Sequence, residues 1–135
     1  MRIEHVAFNV HEPRAMAAWY VQHLGFRVLR AMDRDPWTHF LGDDAGAGVL
    51  EIYHNRRDTP PDYAALDPLR LHIALVSADP DADAARLIAA GASKAEEVRL
   101  ADGTLLVMLR DPWGLALQLC RRIQPLLPGP PTAPA

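Results

Sequence analysis

Two stretches decide how this chain is read: Ile3-Glu4-His5-Val6-Ala7-Phe8 and Arg70-Leu71-His72-Ile73-Ala74-Leu75. Each places a histidine in a short segment that alternates in polarity, and the two histidines are 67 residues apart. A second pair of segments, Val49-Leu50-Glu51-Ile52-Tyr53 and Ala116-Leu117-Gln118-Leu119-Cys120, places Glu51 and Gln118 at the same separation of 67. One offset shared by both pairs implies that the chain is a single unit written twice, with a polar residue kept at equivalent points on two strands of each copy. Two imidazoles, a carboxylate and an amide oxygen, brought together by a pseudo-twofold axis, are a donor set that suits a divalent cation.

The segments around these anchors repeat as well. In the first copy, alternation over 3–10 marks a strand with one apolar face. Pro13 suits a helical first turn, Ala15 to Leu24 continues the helix, and Gly25 ends it. Phe26 to Met32, Trp37 to Leu41 and Val49 to His54 are expected strands, separated by turns at Asp33 to Pro36 and Gly42 to Gly48. The second copy has the same order: strand Leu71 to Val76, helix Pro80 to Ala90 closed by Gly91, then strands Lys94 to Leu100, Thr104 to Arg110 and Leu115 to Cys120. The expected fold is therefore α+β, with two tandem βαβββ modules over about 3–55 and 70–120, forming a curved mixed sheet with the helices on its outer face. Residues 56–69, with Pro60, Pro61 and Pro68, form an expected linker, and the Pro-rich tail 125–135 is expected to be extended.

Strand parity adds a further expectation. Leu50 and Ile52, Leu71, Ile73 and Leu75, and Leu117 and Leu119 should face the helices. Glu51, His72 and Gln118 should then lie on the opposite face, where a curved sheet can enclose a cavity. His39, Tyr53 and His54 could line the same face, although a register error of a single residue would reverse each of them. Trp37 and Met108 are candidate pocket walls or ordinary core. Trp19 and Tyr20 are read as helix packing, and His11 and His23 as surface or helix residues without a role. Arg27, Arg30 and Arg34 are read as solvated strand-edge charges that could also attract an anion. Cys120 is read as a small apolar residue.

Bulk composition narrows the function classes. The chain has 135 residues, 50% of them hydrophobic, and carries 14 Lys and Arg against 17 Asp and Glu, for a net charge of −3. That balance, with no basic patch, argues against nucleic acid as the main partner. No apolar run is long enough for a membrane span, no signal peptide is expected, and a cytoplasmic location is the default expectation. The single cysteine, Cys120, excludes an internal disulfide.

His5, Trp19-Tyr20 followed by Leu24-Gly25-Phe26, Glu51, His72, and Asp111-Pro112-Trp113-Gly114 leading to Gln118 occur in an order that resembles the vicinal oxygen chelate superfamily. That superfamily includes glyoxalase I, extradiol dioxygenases, fosfomycin-resistance enzymes and bleomycin-binding proteins. The resemblance covers about residues 3–120. It implies paired βαβββ modules around a metal or ligand, with His5, Glu51, His72 and Gln118 as metal ligands and Glu51 as the catalytic carboxylate. It also implies a homodimer and a small-molecule substrate or ligand. The sequence departs from the glyoxalase pattern at Gln118, where a Glu is usual, and an amide cannot act as a carboxylate base. The leading expectation is a glyoxalase-like lyase or isomerase that uses Zn, Ni, Co, Mn or Fe to stabilise an oxyanion. The alternatives are a metal-free binding protein of the bleomycin-resistance type and, third, a ring-cleaving dioxygenase.

Overall fold

The computed structural model describes residues 1–126. The expected tail over 125–135 lies mostly outside the described residues. The chain forms two compact units, Met1–Asp62 and the residues from Tyr63 onward.

The first unit contains β1 (Val6–Asn9), α1 (Pro13–Leu24), β2 (Arg27–Ala31), β3 (His39–Gly42) and β4 (Val49–Tyr53). The second contains β5 (His72–Val76), α2 (Pro80–Ala89), β6 (Ser93–Arg99), β7 (Leu105–Arg110) and β8 (Ala116–Arg121). The sheet orders are β1-β4-β3-β2 and β5-β8-β7-β6, each with one parallel pairing and two antiparallel ones. This is the two-module α+β architecture expected from the repeat.

The repeat extends to individual backbone pairs. In the first parallel ladder Val6 pairs with Leu50 and Ala7 with Glu51. Adding 67 to each partner gives Ile73 with Leu117 and Ala74 with Gln118, the pairs found in the second. The hairpin strands drift by one residue: Arg30↔Phe40 corresponds to Glu96↔Met108, an offset of 66 on one strand and 68 on the other. Both hairpins carry the same irregularity, at Leu29 between Val28 and Arg30 and at Ala95 between Lys94 and Glu96. A bulge bends and twists a strand, so its retention in both copies keeps the two sheets alike.

Helix ends follow from local chemistry. Pro13 and Pro80 occupy the first turns, where a missing N–H costs nothing. The Asp79 carboxylate accepts from the Ala82 N–H at 3.1 Å, with Asp81 and Asp83 favourably placed at the positive end of α2. Gly25, at φ 74°, closes α1 by donating its N–H to the Tyr20 carbonyl. Each helix packs on its own sheet, α1 over β2, β3 and β4, and α2 over β6, β7 and β8. Tyr20, Met16, Leu41 and Ile52 fill the first core, and Leu87, Leu109 and Leu117 the second. Trp19 and Tyr20 are core residues, as read from the sequence.

Element boundaries differ from the sequence reading in two places that bear on function. The first strand begins at Val6, so His5 precedes it. The third begins at His39 rather than Trp37, and Trp37 lies in the connection with φ 58°.

Candidate functional site

The face opposite the helices carries matching rows in the two sheets. In the first unit Ala7, Glu51, Phe40 and Arg30 lie side by side across β1, β4, β3 and β2. In the second, Ala74, Gln118, Met108 and Glu96 form the equivalent row. Glu51 and Gln118 therefore occupy equivalent positions opposite the apolar Leu50, Ile52, Leu117 and Leu119, which are buried towards the helices. Tyr53 shares the Glu51 face. His39 pairs with Ile52 and so faces α1, which removes it from this face.

The first unit brings two of the four expected residues into contact. His5 Nε2 lies 3.1 Å from Glu51 Oε2, with the side chains 34% and 21% exposed. The Glu4 carboxylate holds His5 Nδ1 from the other side. Phe40 meets the His5 ring edge-on, with centroids 5.6 Å apart. The hydrogen bond with Glu4 and then the negative charges of Glu4 and Glu51 hold the His5 pKa above its ordinary value, against an opposing effect of desolvation.

The second unit places His72 on β5 and Gln118 on the adjoining β8, opposite Ala116 and Ala74 respectively. His72 Nδ1 donates to the Pro68 carbonyl at 3.0 Å, because a carbonyl can only accept. In the neutral ring that leaves Nε2 with its lone pair, the form a metal ligand requires. Gln118 Oε1 accepts from the Cys120 thiol at 3.3 Å. Burial pushes the Cys120 thiol pKa up, which keeps it protonated and a poor nucleophile. Among the described residues no three His, Cys, Asp or Glu side chains gather into a metal-binding group.

The strand carrying Gln118 is held by a frame of which the sequence shows only the Asp111-Pro112-Trp113-Gly114 motif. Asp111 Oδ1 accepts from the N–H groups of Trp113 and Leu115, both at 2.9 Å. Arg110 donates to the carbonyls of Tyr63, Gly114 and Leu66 at 2.9, 3.0 and 2.6 Å. Gly114 has φ 88°, and a Cβ there would lie 2.6 Å from the Ala64 backbone nitrogen. Asp43 plays the equivalent part before β4, accepting from the N–H groups of Ala47 and Gly48 at 2.8 and 2.9 Å. Beside β8, Ala74, Leu75, Val76, Cys120, Pro125 and Leu126 line an apolar cavity of about 300 Å³ that also meets Arg122.

Residues 2–119 match the Glyoxalase/Bleomycin resistance protein/Dioxygenase superfamily. The chain belongs to that superfamily. No curated protein sequence matches it. Among solved structures it is similar to a glyoxalase family protein from Enterococcus faecalis, at 28% identity and a TM-score of 0.65, over 89% of this chain and 97% of that one. A glyoxalase family protein from Bacillus cereus gives a TM-score of 0.74 at 16% identity, over 89% and 93%. TnmS3, an antibiotic binding protein from Streptomyces sp. CB03234, gives 0.64 at 22% identity, over 89% and 97%. The last two likenesses show the fold alone.

Four residues of the site were missed by the sequence reading: Glu4, Pro68, Arg110 and Arg122. Glu4 adjoins His5 and could have been suspected. Pro68 acts through a backbone carbonyl, and Arg110 bonds residues 44 and 47 positions away, for which the sequence has no signal. Among the described residues no helix is long and apolar enough to cross a membrane.

Proposed function

We propose that this superfamily member is a glyoxalase-like lyase or isomerase that takes a divalent first-row metal on His5, Glu51, His72 and Gln118. The observation that carries this reading is the 3.1 Å contact between His5 Nε2 and Glu51 Oε2, at positions whose equivalents in the second unit are His72 and Gln118. The donors are two imidazole nitrogens, a carboxylate and an amide oxygen, and the His72 Nδ1 bond to the Pro68 carbonyl leaves Nε2 as the ring nitrogen turned to a ligand. When bound, the ion would supply Lewis-acid polarisation of vicinal oxygens on a small oxygenated substrate.

The chain's own residues divide the remaining work. Glu51 is the carboxylate able to take a proton, since the Gln118 amide cannot. Glu4 keeps His5 oriented and raises its basicity. The proton on His5 competes with a cation for Nε2, so metal uptake should rise with pH. The experiment is metal titration of wild type and of His72→Ala, followed by calorimetry and elemental content. Wild type should take up Zn, Ni, Co, Mn or Fe(II), and the variant should lose that uptake while remaining folded. Equal metal content in the variant would overturn the assignment.

The apolar cavity beside Cys120 favours a second reading, a metal-free small-molecule binding protein. Its wall offers contact to an amphiphilic ligand, and Arg122 would attract an acidic group. A wild-type protein that takes up none of these metals, yet binds such a ligand, would replace the first reading with this one.

We assign the protein to a homodimer as well. Val76 on the edge strand β5 is 97% exposed, an apolar side chain beside unpaired backbone that a second copy could cover. A monomer by light scattering at micromolar concentration would remove the dimer.

A further inference from the structure

The β2–β3 connection of the first unit contains a residue that the repeat itself marks as unusual. In this hairpin Met32 N–H donates to the Thr38 carbonyl at 2.8 Å. In the second unit Leu100 N–H donates to the Thr104 carbonyl at 2.9 Å. The residue before each threonine adopts the left-handed backbone conformation, Trp37 at φ 58° and Gly103 at φ 91°. Both threonines are buried, and both preceding residues donate an N–H within the turn, to Arg34 and Leu100. Glycine is the residue for such a position, because a Cβ there is strained. The second unit uses glycine. The first places one of the largest side chains at the same point.

The indole does not fill the core. Trp37 is half-buried and stands between two clefts, one of about 650 Å³ formed with Arg14 and His11, the other of about 350 Å³ formed with Arg14, His39, Met32 and Asp33. The Arg14 guanidinium lies over the ring, 5.0 Å from its centroid, and its N–H groups find no hydrogen-bond acceptor among the described residues. His39 Nδ1 donates to the Trp37 carbonyl at 2.7 Å, which leaves Nε2 available at the smaller cleft. His39 faces α1, so this site lies on the opposite side of the sheet from Glu51. Strain retained at a bulky residue whose side chain does not pack the core is the mark of a side chain kept for a ligand.

The geometry points to a second ligand site in the first unit, built from Trp37, Arg14 and His39, that takes a planar aromatic monocarboxylate. The indole offers a stacking surface, the free N–H fork of Arg14 matches a carboxylate, and His39 Nε2, when protonated, can donate to the same group. The Asp33 carboxylate at the cleft repels a second negative charge, which selects against dianions.

The test uses cinnamate as the probe, with calorimetry for affinity and NMR shift mapping for location. Wild type should bind cinnamate with shifts at Trp37, Arg14 and His39. Cinnamyl alcohol and terephthalate should each bind about tenfold more weakly or not at all. Trp37→Gly copies the residue used in the second unit, so it should stay folded, with unchanged metal uptake, and lose cinnamate binding by about tenfold or more. Arg14→Gln should have the same effect on binding. The site is overturned if wild type shows no binding at millimolar cinnamate, or if the shifts map to the Glu51 face. It is also overturned if Trp37→Gly binds as wild type does, or unfolds while Arg14→Gln retains full affinity.

Discussion

Replacing Gly114 by Ala isolates the contact that fixes β8, the strand carrying Gln118. Two costs are combined there. A Cβ at φ 88° is in the left-handed region, worth about 1–2 kcal/mol for a non-glycine residue. The same Cβ would stand 2.6 Å from both the Ala64 nitrogen and the Ala64 Cβ, and 2.8 Å from its Cα. Backbone cannot swing aside as a flexible side chain would, so the loop bonded by Arg110 must move, at an overpacking cost of about 1–3 kcal/mol. The expected total is about 2–5 kcal/mol, or a fall in Tm on the order of 10 °C. Gly25→Ala supplies the control, because Gly25 also has a positive φ, 74°, but a Cβ added there would meet nothing within 4 Å. It should lose only about 1–2 kcal/mol. Urea and thermal unfolding of the two variants measure the difference. If Gly114→Ala is no less stable than Gly25→Ala, the close approach to Ala64 does not constrain the fold.

Other expectations follow from the same contacts. In an NMR titration His5 should have a pKa above about 6.5, and Glu4→Gln should lower it more than Glu51→Gln, since the Glu4 hydrogen bond is the largest cause. Because the folded-state pKa is raised, the stabilising effect of protonated His5 is present below about pH 6.5 and is lost as pH rises through the folded value. A flat stability profile across that window in wild type relative to His5→Gln would contradict the pairing. Arg110→Met removes the guanidinium from three carbonyls, of which that of Tyr63 keeps the Leu66 N–H, and should cost roughly 2–4 kcal/mol in urea unfolding. Asp79→Ala removes the cap on Ala82 and should cost about 1 kcal/mol, with no effect on metal titration.

The sequence by itself determined the parts of this protein that rest on local or periodic preference. Alternation of apolar residues around Glu51 and Gln118 specified which face each strand buries, and the 67-residue offset specified that the two copies would share that pattern. Proline at positions 13 and 80 and glycine at 25 and 91 marked both helices, because their backbone preferences act without regard to the rest of the fold. What only the tertiary structure decided depends on residues far apart in the chain. His39 turns to α1 because the pairing register sets it opposite Ile52, with Phe40 opposite Glu51, and a shift by one residue would exchange the faces. His5 falls outside β1, yet it meets Glu51 because the parallel ladder of β1 and β4 brings their ends together. Arg110 holds the 63–66 loop through carbonyls, groups that every residue carries and no sequence pattern distinguishes. Trp37 is the sharpest case, since only the backbone angle it shares with Gly103 shows that its side chain is held at a cost.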